Sequence, residues 1–205
     1  MAYPTVSAPY GLKPVNLIGG QVFAGSTRMM EIATSNNVGY ATNIFYGDLV
    51  KRVSSGTIEL DGGTTTATPC GVFLGVQFTN ASTGQVQQQQ FYPASTAVKA
   101  GTKIFAVVAD DPDTLFQVAV VSGTTVITGV GITAIGNNAE LVQNAGSATT
   151  GNSAVAILAV TATTDTFPIR IIDVVRDTAT AADVFPEVIV KINATMHQYN
   201  NATGV

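Results

Sequence analysis

Hydrophobic and polar positions along this chain fall into short runs instead of helical stripes. In the first half, runs rich in Val, Ile, Phe, Tyr and Thr occupy residues 40–46, 48–53, 57–61, 72–79, 86–92, 103–109 and 115–121. Turn chemistry separates them, as at Asp61-Gly-Gly63 and Asp110-Asp-Pro-Asp113, where short polar side chains, Gly and Pro favour tight reversals. Short strands at this spacing predict an all-β body, a small barrel or sandwich. The run Val86-Gln-Gln-Gln-Gln-Phe91 lacks alternation and predicts a polar, exposed strand.

The second half opens on Thr/Val/Gly-rich sequence at 126–135. The polar residues 136–152 predict a long loop, and the Ala-rich 153–160 a strand or one helical turn. Residues 167–175 and 187–194 predict strands, with 177–183 between them suited to a helical turn. No repeat of fixed period is visible, and no Pro- or Ser-rich linker divides the chain. The expected organisation is an extended N-terminal arm at 1–30, a β-barrel-like domain at 31–125 and a C-terminal β-rich domain or extension at 126–205.

The arm differs from the rest. Pro4, Pro9 and Pro14 oppose helix and interior-strand pairing, and Gly11, Gly19, Gly20 and Gly25 loosen what lies between. It still carries too much apolar surface to leave in water. Such a segment lies across another surface, its own body or a neighbouring subunit, and can add a strand to an open sheet edge. The expected contact residues are Tyr3, Tyr10, Leu12, Val15, Leu17, Ile18 and Phe23. Deleting residues 2–20 is expected to leave a folded body.

Composition narrows the chemistry. The 205 residues include one His (His197), one Cys (Cys70) and no Trp, and only 11% are charged, against roughly 25% in ordinary soluble domains. General acid–base and nucleophilic devices draw on His, Cys, Lys and paired carboxylates, so no catalytic residue, cofactor or metal site is expected. A net charge of −4 and scattered Lys and Arg argue against nucleic acid, which needs a basic stripe. No basic segment followed by an apolar one opens the chain, which predicts synthesis in the cytoplasm. The charge-free stretches, broken by Gly and Thr, do not read as membrane spans.

Individual candidates have plain readings. Asp110, Asp111 and Asp113 can offer oxygens to Ca²⁺ but lack the Gly and distal Glu of an EF-hand loop, so a strand-joining turn is preferred. Cys70, before an apolar strand, reads as a small buried side chain. His197, in a polar tail, reads as a surface histidine. Gly129-Val-Gly131 and Gly62-Gly63 lack the Lys and Ser or Thr of a phosphate loop and read as turns or bulges. The triplets at Asn80, Asn193 and Asn201 match a glycosylation pattern by coincidence in an Asn- and Thr-rich chain.

Three stretches carry a resemblance: Ala8-Pro-Tyr-Gly-Leu-Lys-Pro-Val15, Phe167-Pro-Ile-Arg-Ile-Ile-Asp-Val-Val175, and Pro186-Glu-Val-Ile-Val-Lys-Ile-Asn193 with His197-Gln-Tyr-Asn-Asn-Ala-Thr203. They resemble structural proteins of marine phages, and the chain looks like a head decoration, or capsid cement, protein of tailed bacteriophages. Gly47-Asp-Leu-Val50, Gly71-Val-Phe-Leu-Gly-Val76 and Val98-Lys-Ala-Gly-Thr-Lys-Ile-Phe105 are similar to the small β-barrel of such proteins. The resemblance implies a homotrimer on the outer capsid surface of the virion that bridges adjacent capsomers. Its partners would be the major capsid protein and further copies of itself, with no nucleic acid and no membrane. The alternatives are a receptor- or glycan-binding β-module of a tail or fibre and the major capsid protein itself, which usually has a long spine helix that this sequence lacks.

Overall fold

The structure, a computed structural model, describes residues 6–204. Its regular elements are strands and two single 3-10 turns, so the protein is all-β, as the short runs predict. The strands are β1 (Lys13–Leu17), β2 (Arg28–Ile32), β3 (Thr34–Ser35), β4 (Val38–Gly39), β5 (Leu49–Arg52), β6 (Ile58–Leu60), β7 (Gly71–Thr79), β8 (Val86–Gln89), β9 (Ile104–Ala109), β10 (Thr114–Val121), β11 (Asn138–Val142), β12 (Ala156–Ala162), β13 (Ile169–Val174) and β14 (Glu187–Ile192).

They close into two five-stranded barrels. The first ring runs β2-β6-β5-β7-β9 and returns to β2; the second runs β10-β12-β11-β13-β14 and returns to β10. Counted along the chain, both rings have the order first, third, second, fourth, fifth. In both, the first and third strands form the parallel pair and the other pairs are antiparallel. The same connection pattern thus occurs twice, although no periodic sequence signal announces it. Each ring also carries one added strand, β8 on β7 and β1 on β10.

Period-two alternation explains where the core sits. On β5, β7 and β9 the residues Val50, Phe73 and Val108 fill the first barrel. Their sequence neighbours Leu49, Val72 and Ala109 face outward and join the core of the second barrel. Where these strands lie between the two cores both faces are buried, so apolar residues stand next to each other there, as at Leu49-Val50, Val72-Phe73 and Val108-Ala109. Each fully buried side chain of this kind stabilises by roughly 1.5–3 kcal/mol relative to exposure.

Three sequence expectations change, and the choice between strand and helical turn at the Ala-rich segment is resolved. Residues 40–46 form no strand, only isolated bridges from Ile44 to Tyr92 and from Tyr46 to Asn152: the chain bends over the barrel end, and the Tyr92 hydroxyl donates to the Tyr40 carbonyl at 2.7 Å. The segment 136–152 is not all loop but contains β11. Its polar Asn138 is buried there because its amide donates to the Thr164 carbonyl at 2.8 Å and its oxygen accepts from Arg170 Nε at 3.0 Å. The Ala-rich segment becomes the strand β12. Finally, β2 begins inside the range 1–30, and β10, which lies before residue 125, pairs only within the second sheet. The Asp-Pro-Asp turn resembles a hairpin link, yet β9 and β10 belong to different rings.

Candidate contact surfaces

The N-terminal arm precedes the first barrel but lies on the second. β1 runs antiparallel to β10, with a bulge at Val15 between Pro14 and Asn16. Ahead of it the chain passes through a tight crossing. The Gly11 amide donates to the Val155 carbonyl at 3.1 Å, and the Leu12 amide to the Gly47 carbonyl at 3.0 Å. Gly11 has φ +81°, and a Cβ there would stand 2.6 Å from Ser153 Cβ and 2.9 Å from the Gly47 carbonyl oxygen. Only glycine suits this position.

The predicted contact residues take different places along this path. Leu12 is fully buried in the core shared by the barrels. The Tyr10 hydroxyl donates to Glu187 Oε1, a buried carboxylate on β14 that also accepts from Gln117 Nε2 at 3.0 Å. Burial, then the hydrogen bond to Glu187 and the Glu187 charge, push the Tyr10 pKa up, so the hydroxyl stays a donor. Val15 and Leu17 are half-buried, and Phe23 packs against the second core. Ile18 remains 45% exposed, at the reversal where Gly19 and Gly20 have positive φ, beside Val22 at 74%. Tyr3 lies outside the described residues.

The C-terminal tail makes the opposite crossing, from the second barrel to the first. The Gln198 amide donates to the Pro69 carbonyl at 3.0 Å, and its side chain bonds both the amide and the carbonyl of Arg52, at 2.8 and 3.1 Å. The Tyr199 hydroxyl donates to Asp110 Oδ2 at 2.7 Å, and Arg28 Nε pairs with the same oxygen at 3.1 Å. His197 is 1% exposed. The surface reading of His197 is therefore corrected: polar neighbours in sequence do not expose a residue whose segment docks. Its Nδ1 accepts from the Tyr199 amide at 3.2 Å, while Nε2 is buried without a partner. Burial pushes its pKa below 6.5.

The remaining candidates have structural partners. Asp110 is buried in the tail cluster, Asp111 Oδ1 accepts from the Asp113 amide at 2.9 Å, and Asp113 pairs with Lys191 at 2.6 Å. Among the described residues no three His, Cys, Asp or Glu side chains gather as a metal-binding group. Cys70 is buried, and burial pushes its thiol up to about 12, so it stays protonated at neutral pH. Asn80 and Asn193 bond neighbouring backbone, Asn80 Oδ1 to the Ser82 amide and Asn193 Nδ2 to the Phe167 carbonyl. Gly129 leaves room for Val184 and Phe185.

A cleft of about 330 Å³ is lined by both barrels, with Thr42, Phe45, Asp48 and Leu60 from one and Gln143 and Asn144 from the other. Its polar groups are engaged internally. Asn144 Nδ2 donates to the Thr124 and Ala154 carbonyls, Gln143 Nε2 to those of Asp61 and Gly63, and Asp48 Oδ2 accepts from the Phe45 amide. Burial pushes the Asp48 and Asp61 pKa values up.

One surface was only partly legible in the sequence. The polar run Val86-Gln-Gln-Gln89 does form an exposed strand, β8, as its lack of alternation predicts. Farther across the same sheet, Phe105 on β9 and Met29 on β2 are also exposed. Compared with protein families, curated proteins and solved structures, the chain matches none.

Proposed function

We propose that this chain is a non-enzymatic structural protein of a tailed-bacteriophage virion, one that binds the outer capsid surface as a homo-oligomer and fastens adjacent capsomers. The observation that carries a contact role is the tip of the β1 reversal. Ile18 and Val22 stay 45% and 74% exposed, whereas Leu12 enters the chain's own core, Phe23 packs against it and Tyr10 bonds Glu187. Apolar side chains held outward by a braced turn suit the centre of a protein–protein contact, and Arg170 and Lys191 beside Ile18 give it a charged rim. The capsid as partner rests on the resemblance of the three stretches quoted above, and the trimer on the same resemblance.

The scarcity of catalytic groups supports a role in contact over chemistry. Its one thiol is held protonated and its one imidazole is buried. Many copies on a shell turn modest contacts into strong attachment.

The test is co-sedimentation with expanded and unexpanded heads, using the intact chain and an Ile18→Ser, Val22→Ser double variant. The reading expects the intact chain to pellet with expanded heads and the folded variant to lose at least about tenfold in affinity. Failure of the intact chain to bind heads of either form overturns the capsid reading. Undiminished binding by the variant overturns the assignment of the turn.

A further inference from the structure

Each barrel carries one added strand, and the two added strands treat their outer edges differently. An exposed strand edge offers a row of unpaired N–H and C=O groups, which proteins usually blunt with Pro, Lys, a bulge or a covering segment. β1 has all of these devices: Lys13, Pro14, a bulge at Val15, and the chain's own return through an Asn16–Val22 bridge. β8 has none. It is Val-Gln-Gln-Gln, regular in its register with β7 and paired with that strand alone.

The phase of the ladder fixes which groups are open. The Asn80 amide donates to the Gln85 carbonyl at 2.9 Å, and antiparallel partners alternate between bonded and non-bonded pairs. Continuing from Asn80–Gln85, the bonded pairs are Phe78–Gln87 and Val76–Gln89. A Cβ on Gly75 would meet the Gln89 carbonyl oxygen at 3.1 Å, so that carbonyl points to β7 as the phase requires. Val86 and Gln88 fall between these pairs, and their amide and carbonyl groups point away from β7. Both residues are exposed, Val86 at 61%.

We infer that β8 pairs with β8 of a second copy of this chain, antiparallel about a two-fold axis at Gln87. In this register Val86 faces Gln88 of the other copy, and Gln88 faces its Val86. The outward groups then exchange four main-chain hydrogen bonds and join two barrel sheets edge to edge. The occupant follows from charge and symmetry. Residues 62–98 contain no Asp, Glu, Lys or Arg, so two chains of net charge −4 meet here with least repulsion. The short sequence is self-complementary, with Gln amides able to bond each other across the seam. A register centred on Gln88 would engage Gln90, whose Nε2 already donates to Asn152 Oδ1 at 2.7 Å.

This contact is independent of the capsid reading, and on a shell it would link copies from neighbouring oligomers. Its test is sedimentation of the full chain over a concentration series reaching about 1 mM, because four main-chain bonds make a weak contact. The mass rises with concentration by pairing of units, and the Val86 and Gln88 amides gain protection from hydrogen exchange as it does. Gln88→Pro removes only an outward N–H, which an edge strand tolerates, and weakens pairing at least about tenfold. Val86→Lys, on the exposed face, does the same by charge. Absence of pairing in the intact chain, or equal pairing in both folded variants, overturns the proposal. Head binding by a variant that no longer pairs would leave the capsid reading standing, so the two fail separately.

Discussion

The two barrels share a ring order, yet each is finished by sequence from the far side of the other. The second receives β1, Leu12 and Tyr10 from ahead of the first, as an apolar strap with strand pairing. The first receives residues 197–199 from beyond the second, as a mainly polar strap of hydrogen bonds around Arg52 and Asp110. The difference is one of energy scale. Burying apolar surface yields more per residue than exchanging water for protein hydrogen bonds, which net only about 0.5–1.5 kcal/mol each. The N-terminal strap is therefore part of the fold, whereas the C-terminal one is a fastening.

The largest effect expected is from cutting the apolar strap. Leu12→Ala leaves a cavity in the shared core and costs about 2–5 kcal/mol in chemical denaturation. Deleting residues 2–20, which the sequence alone suggested would leave a folded body, removes Leu12 from the core and β1 from β10, and circular dichroism and solubility should report a damaged second barrel. A fully folded, equally stable truncation would refute the strap's role. Next is Gly11→Ala at the crossing, where positive φ and the 2.6 Å approach to Ser153 Cβ predict a loss of about 1–3 kcal/mol. A neutral result would mean that the crossing relaxes.

Loosening the polar strap costs less. Tyr199→Phe removes the bond to Asp110 from a partly exposed ring, for about 1 kcal/mol, and raises proteolytic sensitivity of the last ten or so residues without altering the β1 amides in hydrogen exchange. The pH effect is the smallest. The unfolded chain takes a proton on His197 near its ordinary 6.5, while the folded chain resists because burial disfavours the charge and Lys191 opposes it, against the pull of Asp110 and Asp111. Stability is thus intact above that pH and declines below it. Asp48 and Asp61, whose pKa values are raised in the fold, act with the opposite sign nearer their own range. The His197 contribution is read as the slope between about pH 7 and 5 that His197→Gln abolishes; an unchanged slope would exclude it.

Most strands were legible because their cues are local. β5, β6, β7, β9, β13 and β14 lie within apolar runs bounded by turns, and β8 showed its exposure in its glutamines. β11 was hidden because the bonds that let Asn138 sit in a buried strand come from Arg170 and Thr164, far along the chain. The proposed contact surface was legible only as an excess of apolar residues in the arm. Which of them remain outside depended on Leu12 entering the core and Ile18 reaching the turn.

The sequence by itself determined the all-β class, the positions of most strands and a surface poor in charge. These follow from side-chain alternation, turn chemistry and composition, which act over a few residues. Only the tertiary structure decided the ring order, the transfer of β10 to the second barrel, the reciprocal straps and the burial of His197. Strand pairing joins groups far apart in sequence, and alternation says which face a residue takes but not which strand will cover it.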